Sequence, residues 1–115
     1  MAGYNNTSKD AALTAIGAAA AYISLHSADP GTTGLNEISG GTYARVQTTW
    51  GTAAASSMAG SQVTIQVPAG ITVAYWGVWT ASSGPTYYEG GTLPASQAYP
   101  QAGTYLFTPT LTATG

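Results

Sequence analysis

Charge is what this sequence has least of. Lys and Arg together number two and Asp and Glu four, so 5 % of the residues are charged, against roughly 25 % in an ordinary soluble domain. The six are Lys9, Asp10, Asp29, Glu37, Arg45 and Glu89. Neutralising a phosphate backbone takes several Lys or Arg, so two cations exclude nucleic acid as a partner. Cysteine is absent, which removes disulfides and thiolate metal sites together. Long apolar runs are missing as well. The longest candidate, Ala11–Leu25, is broken by Thr14, Gly17 and Ser24 and falls short of the roughly 20 residues that span a bilayer. Asp10 cancels Lys9 ahead of it, so it does not read as a leader either. No membrane partner is expected.

Catalytic side chains are equally scarce. His26 is the one histidine, so a Ser-His-Asp arrangement would have to use it, with Ser24 on the same strand face and Asp29 three residues on. No Gly-x-Ser-x-Gly elbow accompanies them, and the plainer reading is that His26 and Asp29 hydrogen-bond the loop after the strand. Asp29 and Glu37 could share a calcium ion with backbone carbonyls, but no spaced ligand set supports a metal site. Gly40-Gly41 and Gly90-Gly91 have no lysine or helix behind them and read as bulges or turns. No cofactor, metal or catalytic residue is expected, and the chain does not read as an enzyme.

What is present is a single domain's worth of apolar residues, 44 % of 115, with eight Tyr and three Trp. The solvent-facing surface must then be mostly Ser, Thr, Gln, Asn, Gly and Ala. Such a surface opposes self-association weakly. Interface cores are likewise poor in Lys, Glu and Asp and rich in Tyr and Trp.

Along the chain, residues 1–7 read as a flexible arm containing Tyr4. Thr7 or Ser8 is placed to cap a helix with Asp10 in its first turn, Leu13 and Ile16 on one face and an Ala run at 18–21. Tyr22–Ser27 alternates as a half-buried strand, and Asp29-Pro30-Gly31 turns the chain. Further strands are expected at 43–50, 63–67, 71–80, 86–93 and 104–113. Of these, 71–80 is apolar enough to be central, and Pro109 confines the last to an edge or bulge. Residues 51–60 and 94–103 read as connections, the first of them mobile. The whole is mainly β: an antiparallel β-sandwich or small barrel of about six strands with one N-terminal helix, a single domain over 1–115.

Two sets of residues stand out as candidate sites. Tyr4, Trp79, Tyr87, Tyr88 and Tyr99 are candidate partner contacts, able to anchor an interface or stack on a sugar ring. Glu37 and Arg45 flank the Ser39-Gly40-Gly41 turn, where an ion pair would close the loop.

Ile23–Gly31, then Asn36–Arg45 with its Gly-Gly-Thr-Tyr-Ala-Arg, then Val67–Trp79 and Glu89–Leu93, resemble a family of small proteins encoded among phage structural genes. The likeness runs from about residue 13 to 112. Members are described as tail-fibre or minor tail proteins, particularly in phages of actinobacteria, and related small β-domains decorate capsids. The resemblance implies a non-enzymatic virion component on the particle exterior. Its partners would be other virion proteins and copies of itself, a trimer among the options. Tail fibre leads, capsid decoration is the alternative, and a host-glycan-binding module is a further one. The resemblance brings no catalytic residues, because its motifs are turn formers and packing residues.

Overall fold

The computed structural model describes residues 5–83 and 86–112, with Asn6 and Glu89 described by backbone alone. Helix α1 spans Asn6–Ala19. Its cap is Asn5, whose side chain accepts the Ser8 N–H at 2.8 Å, in place of the expected Thr7 or Ser8. Asn caps as well as Ser, and the earlier start leaves Asp10 outside the first turn. Asp10 reaches instead across the fold to the Ser56 N–H, 2.9 Å away. The helix thus begins inside the segment expected to be an arm, and Tyr4 lies outside the described residues.

Eight strands follow among the described residues: β1 (Tyr22–His26), β2 (Val46–Gln47), β3 (Ser57–Ala59), β4 (Val63–Val67), β5 (Ile71–Trp79), β6 (Tyr87–Tyr99), β7 (Gly103–Phe107) and β8 (Thr110–Thr112). They form a four-stranded sheet in the order β2-β1-β5-β6 and two pairs, β3-β8 and β4-β7. Every pairing is antiparallel. The fold is mainly β and sandwich-like, and the described residues form no closed barrel.

The departures from the expected strands have local causes. Within 43–50 only Val46–Gln47 pairs with β1, because Tyr43 and Arg45 are drawn to Glu37. The supposedly mobile 51–60 contains β3, which pairs with β8 and buries Met58; three residues are too few to show a period. β6 runs on through Tyr99 where a connection was expected. Val73 faces Gln97 and Tyr75 faces Thr92, so residues 93–96 stand against Ala74 alone as a bulge that turns Leu93 into the core and holds Pro94 where no ladder hydrogen bond is needed. The expected last strand splits at Thr108-Pro109 into β7 and β8. Pro109 is buried at the break, and its carbonyl accepts the Gly60 N–H at 2.8 Å.

The large sheet is covered on both faces. Ile23, Leu25, Trp76 and Val78 share one face, and Phe107 of β7 meets Trp76 there with ring centroids 5.4 Å apart. Ser24, His26, Tyr75, Gly77 and Trp79 share the other. The segment after β1 folds over that second face, held by Ser27 N–H to Asn36 O at 3.1 Å and Ile38 N–H to Leu25 O at 3.0 Å. β1 is therefore not half-buried as its alternation implied. Its polar residues are under the loop, and Ser24 and His26 are both 0 % exposed.

Candidate functional site

The polar side chains beneath that loop form one connected set. Leu35 O can only accept, so His26 Nδ1, 2.7 Å from it, carries the proton. Nε2 is then an acceptor and takes the hydroxyl proton of Ser24, 2.7 Å away. Ser24 Oγ in turn accepts the indole N–H of Trp79 at 2.8 Å. Each donor in the chain Trp79, Ser24, His26, Leu35 has its acceptor, which is what a buried polar row requires. Burial holds the imidazole below its ordinary range, and the nearby Arg45 charge acts the same way; the Leu35 hydrogen bond and Glu37 oppose them without prevailing. A Ser-His contact of this length has the look of a nucleophile and its base. Here neither group is exposed, so the pair lies where no substrate reaches it.

Arg45 lies over the other end of this row. Its guanidinium carbon sits 3.6 Å from the centroid of the Trp79 ring. The same guanidinium grips Glu37 with two bonds, Nε to Oε2 at 2.9 Å and Nη2 to Oε1 at 2.8 Å. Nη1 reaches Ala81 O at 3.2 Å. Tyr43 donates its hydroxyl to Glu37 Oε2 at 2.6 Å and accepts the Leu25 N–H at 3.2 Å. Burial pushes the Glu37 carboxyl up, but the Arg45 and Tyr43 hydrogen bonds outweigh it and hold it below the usual carboxylate range. Burial and the same carboxylate raise the Tyr43 phenol far above its ordinary value. This ion pair, 9 % exposed on Arg45 and 21 % on Glu37, ties the turn at 39–41 to the sheet.

The candidate partner contacts separate sharply. Trp79 is buried and already used by Ser24 and Arg45, so it offers no ring to a partner. Tyr87 is half-buried and packs edge-on to Trp79 at 5.2 Å. Tyr88 is 44 % exposed. Tyr99 is half-buried and donates its hydroxyl to Thr104 O at 2.9 Å. They do not make a single aromatic platform. Two exposed apolar residues were not anticipated, Leu35 and Leu106, at 60 % and 59 %. Leu106 was readable in principle, since it alternates with inward Tyr105 and Phe107.

The largest uncovered features are charge-poor. The helix buries Leu13 while Ala11, Ala12, Ala15, Ala18 and Ala19 stay exposed. β6 is an outer strand of the large sheet, exposed at Thr92 and from Pro94 to Ala98. A family model described as podophage GP4 fiber I protein gp80 matches residues 3–113. The chain belongs to that family. No curated protein matches the chain. Membership of a phage fibre family marks the chain as a structural component of a virion. The sheet, the loop lock and the outer strand of this fibre-family protein all lie within the matched span.

Proposed function

We propose that this protein is a non-enzymatic part of the phage tail, a small β-domain on the particle exterior that packs against copies of itself, as a trimer, and against neighbouring virion proteins. The family match over residues 3–113 carries the reading. Support comes from an exposed Ala-rich helix face, a long outer strand whose one charged residue is Glu89, and isolated exposed Leu106 and Tyr88, a surface with little charge to oppose association. Tail placement is preferred to capsid decoration because the family is named for a fibre. Tyr88 is the partner contact this surface favours among the five aromatics, with Tyr87 and Tyr99 contributing their exposed edges.

The test is direct. Washed virions analysed by mass spectrometry should contain the chain, antibody-gold should label tails rather than heads, and light scattering should give a multiple of 11.5 kDa. A chain absent from washed particles overturns the reading. Gold on heads would replace the fibre with capsid decoration.

A further inference from the structure

The loop between β1 and Glu37 is a body of its own. Asp29 Oδ1 accepts the Gly31 N–H at 2.8 Å, and the Asp29 carbonyl accepts the Asn36 side-chain amide at 3.0 Å. Gly34 and Leu35 both donate to Pro30 O, at 3.0 and 2.8 Å. The Ser27 N–H closes the base on Asn36 O at 3.1 Å, and Asn36 turns the chain there with φ of +63°. All these bonds stay within residues 27–36, so the loop can move without breaking them. Its hold on the sheet is of another kind. Gly34 lies against the Trp79 ring, where a Cβ would stand 2.5 Å from two ring carbons and 2.9 Å from Tyr87. His26 Nδ1 donates to Leu35 O at 2.7 Å.

The polar row beneath the loop suits one protonation state of His26. Nε2 takes the Ser24 hydroxyl proton, and Ser24 Oγ takes the Trp79 indole N–H. A proton on Nε2 turns a second N–H towards Ser24 Oγ and strips the hydroxyl proton of its acceptor. This happens where Ser24 and His26 are both 0 % exposed, so an orphaned donor and a charge are buried together.

The groups around His26 do not compensate. Glu37 faces it across a backbone bridge, but Arg45 and Tyr43 occupy both carboxylate oxygens. Arg45 is a like charge. Tyr75 stands opposite on β5 and Tyr87 lies edge-on at 6.4 Å from β6, and neither ring brings a countercharge. Asp29 is exposed and turned to its own loop. With the loop off the sheet, water solvates both ring N–H groups. Protonation and opening therefore favour each other.

We propose that residues 27–36 form an acid-opened cover: a solvent proton taken up by His26 Nε2 swings them off the sheet as one body and uncovers Ser24, Trp79 and Tyr87. The device goes beyond the assembly role and does not depend on it.

Hydrogen exchange of the Trp79 indole N–H in the full chain, followed by NMR and corrected for the rate of free indole, tests this. The open form should be scarce above pH 7 and grow as His26 titrates. Trp79 protection should then fall about tenfold between about pH 7.5 and 5.5. Urea up to about 1 M should leave it unchanged while β4 amides exchange faster, because lifting the cover exposes little surface. His26→Gln keeps a donor for Leu35 O and does not titrate, so Trp79 protection should be flat over the same range. Gly34→Ala should wedge the cover and lower Trp79 protection already at neutral pH. The proposal is overturned if the Trp79 indole and the β4 amides share one exchange rate and one urea dependence, because global unfolding alone then reaches the row. It is overturned equally if the fall with pH persists in His26→Gln, or if Gly34→Ala leaves Trp79 protection unchanged.

Discussion

Arg45 and Trp79 are stacked, guanidinium carbon to indole centroid 3.6 Å, and the same guanidinium holds Glu37 by two hydrogen bonds. One side chain therefore joins the loop to the sheet through its face and its edge at once. Lysine cannot do both at once, because a point charge has no plane to stack and no fork to grip a carboxylate with two bonds.

Arg45→Lys should accordingly destabilise the fold by about 1–3 kcal/mol. Urea denaturation of Arg45→Lys, Glu37→Gln and the double variant gives the coupling between the two partners. A coupling near zero would show that the pair behaves as a solvated surface bridge.

Stability should fall in two stages on acidification. The folded His26 binds its proton less readily than the unfolded one, whose pKa is near the ordinary imidazole value of 6.5. Below that pH the unfolded chain takes up protons that the folded chain refuses, so unfolding free energy declines as pH drops, by at most about 1.4 kcal/mol per unit for one group. Glu37 is also held below the ordinary carboxyl value of 4.5. Its contribution is present above that value and is lost as pH falls through the folded pKa. Urea midpoints from pH 8 to 3 should be flat above 7, then slope from about 6.5 and again below about 4.5. His26→Gln should remove the first slope and leave the second, and an unchanged profile in that variant would rule out His26 as its source.

The antiparallel β content, the helix and the β4 strand were legible because Leu13 and Ile16, and Val63, Ile65 and Val67, carry the right periods. Glu37 and Arg45 were legible as a pair because the glycine turn between them leaves few other ways to close. The two-sided burial of β1 was not. His26 and Asp29 were legible as bonding the loop after the strand, as they do at Leu35 O and the Gly31 N–H, but the alternation of β1 read as half-buried, since nothing in a polar side chain records that the loop will cover Ser24 and His26 completely. The same limit hid the small cleft beside Asp29 and Tyr75. Asp29 and Tyr75 are far apart in sequence, and only the β1–β5 register brings His26, its loop and Tyr75 together. β6 was cut short because Pro94 normally ends a strand, whereas here a bulge absorbs it.

Gly77 is required by the polar row it faces. A Cβ there would stand 2.8 Å from Ser24 Oγ and 2.9 Å from His26 Nε2, with Tyr87 Cε1 also at 2.8 Å. Ser24 and His26 are both 0 % exposed and already hydrogen-bonded to each other. Gly77→Ala should cost about 1–3 kcal/mol, the range of an overpacked core, and should change Trp79 fluorescence because the indole N–H loses its placed acceptor. Gly31→Ala is the contrast: a Cβ there meets nothing within 4 Å, and φ is +62°. Its cost should come from backbone strain alone, about 1–2 kcal/mol, with Trp79 emission unchanged.

The hairpin at Ala54–Ser57 can be improved. Its two central residues, Ala55 and Ser56, have φ of +51° and +66°, and Ala54 and Ser57 exchange both backbone hydrogen bonds at 2.9 and 3.0 Å. Two positive φ values in a two-residue loop are those of a type I′ turn, which prefers Asn-Gly. Ala and Ser are strained there, and Asp10 helps to hold the turn by accepting the Ser56 N–H. Ala55→Asn combined with Ser56→Gly keeps that N–H and relieves the strain, so it should stabilise the chain by about 1–2 kcal/mol. Asp10→Ala should destabilise the native chain by about 1 kcal/mol through loss of the bond from the Ser56 N–H to its carboxylate. It should cost less in the Asn-Gly background, where the turn no longer needs the carboxylate to persist. Equal losses from Asp10→Ala in both backgrounds, measured by thermal melts, would show that Asp10 anchors the helix rather than the turn.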